Sequence, residues 1–114
     1  MVEASIYAAL SGLVASRVFP DVAPEGTQMP YITYQQTGGK PVNFVGAEFS
    51  DKKNARFMVK VWAATRAEAS TLARQVENIM VAAPLLAKIE SGVVADYDET
   101  TNARGTIQDF SLWS

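Results

Sequence analysis

The chain has 114 residues, with 10 Lys plus Arg, 12 Asp plus Glu, no His, no Cys and a formal net charge of −2. The length fits one domain, 1–114, and a chain of this size buries roughly 65% of its unfolded surface, enough for one core without metals or disulfides. Without Cys and His there is no disulfide, thiolate nucleophile, iron–sulfur cluster, structural zinc site or Ser–His chemistry, so catalysis would rest on carboxylates, Lys, Tyr or a hydroxyl.

The mild acidity gives no general reason to sit on a phosphate backbone. A hydrophobic content of 48% against 19% charged describes a globular chain. No apolar run approaches the ~20 residues that span a bilayer, so no membrane association is expected. Residues 1–10 carry Glu3 and no Lys or Arg, and lack the basic flank of a signal peptide. The absence of Cys fits a cytosolic origin.

The first periodic stretch is Glu3 to Ser16, where Ile6, Leu10, Leu13 and Val14, with Ala9 beside them, recur at helical spacing. Gly12 weakens this helix and is read as a mark of close helix–sheet packing. Arg17 to Pro20 reads as a short extended piece, because Pro20 forbids further helix and biases Phe19 toward β geometry. Pro24, Gly26 and Pro30 punctuate a loop. Tyr31 to Thr37 is β-branched and aromatic and reads as a strand. Residues 38–54 form a long connection containing Phe44, Val45 and Phe49, and long connections in compact domains tend to be functional or mobile.

Ala55 to Ala63 is the clearest strand. Phe57, Val59, Val61 and Ala63 alternate with Arg56, Met58, Lys60 and Trp62, and the first set is expected to face the core. Thr65 and Glu68 match a capping box. The helix that follows places Ala69, Leu72, Ala73, Val76, Ile79, Met80 and Ala83 on one stripe and is expected to end at Pro84, with a further turn through Leu85 to Ile89. Gly92 to Thr100 reads as a strand with Val93 or Val94 inward. Asn102 to Gly105 supplies a turn. Thr106 to Trp113 is the last strand, with Ile107 opposite in facing to Phe110 and Leu112. The element order predicts an α+β fold: a mostly antiparallel sheet with two amphipathic helices packed on one face.

The motifs that could carry chemistry are thin. Asp96, Asp98 and Glu99 would suit a divalent cation or an acid–base pair, or simply a solvated strand end, which the lack of a further ligand set favours. Gly38-Gly39-Lys40 lacks the opening glycine, the spacing and the hydroxyl residue of a phosphate loop, and reads as a glycine turn. Lys40, Lys52, Lys53 and Arg56 group around the long connection, as a nucleic-acid contact or as a solvated loop. Met58 and Trp62 on the second face of the strand suit a subunit interface, or a surface that the long connection folds back to cover. Tyr31, Tyr34 and Tyr97 need no role beyond that of strand residues. No cofactor is expected.

In order, Arg17-Val18-Phe19-Pro20, Pro30 to Gln35, Val59 to Ala69, Tyr97-Asp98-Glu99-Thr100 and Asp109 to Trp113 resemble the tail completion, or tail terminator, proteins of tailed phages and prophages. The resemblance covers essentially the whole chain, although each piece alone is unspecific. It implies a tail-terminator-like α+β fold and a non-enzymatic structural role. Such proteins form a ring, typically a hexamer, that caps the tail tube, stops its polymerisation and forms the joint to the head connector. The implied partners are copies of the chain itself, the major tail tube protein and a head-completion or connector protein, with DNA only passing through the ring. The implied location is the head–tail junction of the virion, and the host cytoplasm during assembly.

A ring needs one patch to meet a different patch on the next copy. Arg56, Met58, Lys60 and Trp62 are the expected patch, with Phe44, Val45 and Phe49 supplying reach. The alternative is a small prophage-encoded adaptor or ligand-binding domain.

Overall fold

A computed structural model describes residues 2–38, 54–83, 85–100 and 102–113. The fold is α+β, as the element order predicts. Helix α1 (Val2–Leu10) runs into a single tight turn, Ser11–Leu13. Strands β1 (Val18–Pro20), β2 (Tyr31–Gly38) and β3 (Asn54–Ala63) lead to helix α2 (Arg66–Val81). Strands β4 (Lys88–Ile89), β5 (Val94–Asp98) and β6 (Ala103–Trp113) complete the described residues. The strands form one six-stranded sheet in the order β1-β2-β3-β6, with β4 and β5 both on the far side of β6. Only β1 and β2 run parallel; the other pairings are antiparallel. No helix among the described residues is long and apolar enough to cross a membrane.

Both helices lie on one face of this sheet. Ile6, Leu10 and Val14 of the first helical stretch are buried, with Ala9 and Leu13 packed against them. From α2 come Ala69, Leu72, Ala73, Val76 and Met80. Opposite them the sheet supplies Val18, Ile32, Tyr34, Ala55, Phe57, Val59, Val61, Phe110 and Leu112. Period-2 alternation sends every second strand residue to this side, which is why the pattern of β3 is a reliable guide to the core. The capping box forms: Thr65 Oγ1 accepts from the Glu68 backbone N–H at 3.1 Å. The Glu68 carboxylate reaches back to the Ala64 N–H at 3.3 Å, one residue earlier than the standard box.

Several local expectations are corrected. The α-helical part of the first element ends at Leu10, and Ala15 and Ser16 at positive φ turn the chain into β1. A Cβ at Gly12 would meet nothing within 4 Å, so this glycine makes no close packing. Helix α2 ends at Val81, leaving Ala83 exposed beyond it. No helical turn covers Leu85 to Ile89. Leu85 and Ala87 are buried, and Lys88 and Ile89 join β6 as an edge strand. Val93 and Val94 are both exposed: Val93 precedes β5, and Val94, paired with Ile107, lies on the sheet face away from the helices. The turn before the last strand ends at Asn102 (φ 57°), and β6 begins at Ala103 rather than Thr106. Ile107 does face away from Phe110 and Leu112, as alternation requires.

Two buried polar residues lie on the helix side of β6. Thr106 and Gln108 are buried, and the Gln108 amide donates to Glu77 Oε2 of α2 at 2.9 Å and to the Ser91 carbonyl at 3.2 Å. Ser91 Oγ accepts from the Asp109 N–H at 3.1 Å. These bonds tie the break between β4 and β5 to β6, so the two short strands follow one another along the same edge.

Candidate assembly surface on the outer face of the sheet

The face away from the helices carries the expected patch. Arg56, Met58, Lys60 and Trp62 lie along β3, and the strand register sets their neighbours. Tyr31, Trp62 and Gly105 stand side by side, as do Thr33, Lys60 and Ile107, and then Gln35, Met58 and Asp109. Met58, Lys60 and Trp62 are half-buried and Arg56 is exposed. Phe44, Val45 and Phe49 lie outside the described residues, as do Lys40, Lys52 and Lys53.

Trp62 owes its place to a glycine on the neighbouring strand. A Cβ at Gly105 would come within 2.6 Å of the Trp62 ring and 2.9 Å of the Val61 carbonyl. The indole therefore occupies the space over the one position of β6 where a side chain is missing. Arg56 is tied down. Its guanidinium meets Asp109 Oδ2 at 2.9 Å, a pair whose side chains are 44% and 25% exposed. At such exposure the pair orients Arg56 more than it stabilises the fold.

Part of the face is roofed by residues 21–30. The reason is topological. Strands β1 and β2 are parallel, so the chain must return from the end of one to the start of the other. The helices already occupy the inner face, and the return passes over the outer one. Asp21, at φ 63°, makes the turn out of β1, a conformation Asp tolerates better than most residues. Its N–H donates to the Tyr34 carbonyl at 2.8 Å. At the other end Arg17 Nε donates to the Pro30 carbonyl at 2.9 Å, and the Ile32 N–H to the Arg17 carbonyl at 2.9 Å. Within the segment Thr27 bonds back to the Pro24 carbonyl through both its N–H and its hydroxyl.

Between this segment and the sheet lies an open cleft of about 370 Å³. Tyr31, Thr33, Lys60 and Trp62 form its floor; Val22, Pro24 and Met29 are among the residues of the overlying wall; Asp21, Glu25 and Asp98 bring carboxylates to it. Burial and the nearby Asp98 carboxylate push the Tyr31 phenol above its ordinary pKa. The cleft was not foreseen. Its signals were the Pro and Gly punctuation of 21–30 and the glycine in β6, but neither reveals which face a crossing takes.

Asp96 and Asp98 share the outer face, as alternation predicts, and bond to local backbone. Asp96 Oδ1 accepts from the Tyr97 N–H at 2.8 Å and Asp98 Oδ1 from the Thr100 N–H at 3.0 Å. Among the described residues no three acidic side chains converge as a metal site would need. Tyr97 carries Arg104 over its ring at 4.3 Å and donates to Asn102 at 2.7 Å. Tyr34 packs beside Phe57 in the core, with ring centroids 6.4 Å apart.

The model of the family described as tail completion protein gp17 matches residues 4–113. The chain belongs to this family. It is thereby a phage structural tail protein, of a generally non-enzymatic family. Two solved structures share the fold. A chain of the virion of the native gene transfer agent particle superposes with a TM-score of 0.58 at 21% identity, covering 95% of this chain and 90% of that one. The gp17 protein of bacteriophage SPP1 superposes with a TM-score of 0.53 at 17% identity, covering 97% and 86%. No curated protein sequence matches the chain. The tail completion family is the one that the order of motifs along the sequence resembles.

Proposed function

We propose that this protein caps the tail tube as a ring, by the family's habit a hexamer, stops tube polymerisation and forms the joint to the head connector. The observation that carries this reading is the family match from residue 4 to residue 113, which leaves almost no part of the chain for another role. In the ring, copies meet through unlike patches, because a cyclic assembly needs heterologous contacts. The outer sheet face with Arg56, Met58, Lys60 and Trp62 is one patch, and Phe44, Val45 and Phe49 extend from the connection between β2 and β3 to the next copy or to the tube. Half-buried Met and Trp beside an oriented Arg have the composition of an interface centre.

The partners in this reading are the chain itself, the major tail tube protein and the head-completion or connector protein, with DNA passing through the ring. The protein works at the head–tail junction of the virion and waits in the host cytoplasm before assembly. The test is capping of purified tail tubes, read by negative-stain microscopy and light scattering. Wild-type protein is expected to decorate tube ends and halt elongation. Trp62→Ala and Phe44→Ala are expected to abolish decoration while leaving the monomer folded. A protein that stays monomeric and ignores tube ends overturns the reading; variants that cap normally overturn the patch.

A further inference from the structure

We propose that the cleft between residues 21–30 and the outer sheet face receives the basic Lys52-Lys53 end of the β2–β3 connection from a second copy of this chain. The inference rests on the ring reading above and names the acceptor of one of its contacts.

The cleft has the chemistry of a socket for a cationic side chain on an apolar stem. Its floor includes the aromatic side chains of Trp62 and Tyr31, and a lysine stem and its ammonium both pack favourably on aromatic rings. Asp21, Glu25 and Asp98 bring three carboxylates against the single ammonium of Lys60. None of the three is in an ion pair among the described residues. The walls are already held by the Asp21, Arg17 and Thr27 hydrogen bonds, so little ordering is needed on binding.

The occupant follows from charge and from reach. The basic grouping of Lys40, Lys52, Lys53 and Arg56 is the densest in the sequence. Arg56 is spent on Asp109, which leaves the lysines. A chain cannot put Lys52 or Lys53 into its own cleft. Asn54 is fixed in β3 opposite Trp113, at the far end of the strand from Trp62. That separation is about 27 Å at roughly 3.4 Å per residue. Lys52 and Lys53 are joined to Asn54 by no more than about 7 Å of chain. The same rigid strand that separates donor and acceptor within one copy makes the contact one between copies, and such unlike patches, meeting head-to-tail, can close into a ring.

The chain's lack of cysteine makes a clean test. Val22, on the wall of the cleft and 78% exposed, is replaced in one preparation (Val22→Cys), and Asp51 in another (Asp51→Cys). The two are mixed and treated with a short bis-maleimide. The mixed dimer is expected in about tenfold excess over either homodimer, since charge complementarity favours only the unlike contact. Adding Glu25→Lys to the Val22→Cys chain is expected to remove the excess, while circular dichroism shows the fold unchanged. A chain carrying both cysteines is expected to give a ladder of linked oligomers.

A mixed dimer no more abundant than random collision gives overturns the inference. So does a doubly substituted chain that closes on itself as a monomer, or a Val22→Cys chain that cross-links to tube protein in preference to its own kind. If wild-type protein still caps tubes in those cases, only the socket assignment falls; if capping itself fails, the ring reading falls first.

Discussion

The two faces of β3 are built from one strand and behave as different materials. On the inner face Phe57, Val59, Val61 and Ala63 are 2% exposed or less, sealed by α1 and α2. On the outer face Met58, Lys60 and Trp62 are only half-buried, beneath a return crossing and beside an open cleft. The inner face has side-chain contacts on every side, so its residues hold the fold. The outer face leaves its residues partly open to solvent, which is what the proposed assembly contact would use. A strand in the middle of a sheet can do both, because successive side chains answer to opposite surroundings.

This contrast can be broken most directly at the core. Phe110→Ala removes a fully buried ring opposite Phe57 and is expected to cost about 3–5 kcal/mol of unfolding free energy, read by urea denaturation. Trp62→Ala is expected to cost clearly less than Phe110→Ala while losing tube capping. Equal losses of stability would mean that the outer face is simply a second core.

Gly105→Val tests the link between the faces. Its side chain would need the space held by the Trp62 ring, with the Val61 backbone close behind, and a cost of about 1–3 kcal/mol is expected. Combining it with Trp62→Ala is expected to recover part of that cost, measured as a double-mutant cycle. The cap of α2 sharpens the inner side: Thr65→Ala is expected to cost about 1 kcal/mol, read as a lower thermal midpoint.

The smallest effects are electrostatic. Asp109→Asn breaks the exposed pair with Arg56, and a change within about 1 kcal/mol is expected. For Tyr31 and Tyr34 burial raises the phenol pKa, helped by Asp98 at the first and by Glu3 and Asp21 at the second. The folded state then keeps its protons longer than the unfolded chain. Stability from this source is full below the ordinary tyrosine pKa of about 10 and falls as pH rises through it toward the folded value. Ultraviolet titration at alkaline pH, with Tyr→Phe variants, reads this sign.

Much of the inner face was legible because it obeys local rules. The stripe from Ala69 to Met80, the alternation of β3 and β6 and the Thr65 cap all follow from helix and strand periodicity. Failures came at ends and edges. Val93 and Val94 look like core residues by composition, yet Val93 precedes the edge strand β5 and Val94 lies on its face away from the helices. Leu85 to Ile89 carries a helical composition but is captured by the free edge of β6. Gly12 and Gly105 are indistinguishable in sequence. Only Gly105 has a tryptophan against it, brought there by a residue far away in the chain.

The outer patch was legible in part. Alternation put Arg56, Met58, Lys60 and Trp62 on one face, but not the partners of that face. The Asp109 pairing, the roof of residues 21–30 and the cleft depend on how separate strands register.

What the sequence by itself determined is the set of elements, their amphipathic faces and, through the order of its motifs, the family. These are properties of periodicity and of chain order, which neighbours in sequence are enough to express. What only the tertiary structure decided is the parallel pairing of β1 with β2, and with it the return crossing over the outer face. That choice belongs to no local segment: it is fixed when both helices fill the inner face and leave the chain one way back.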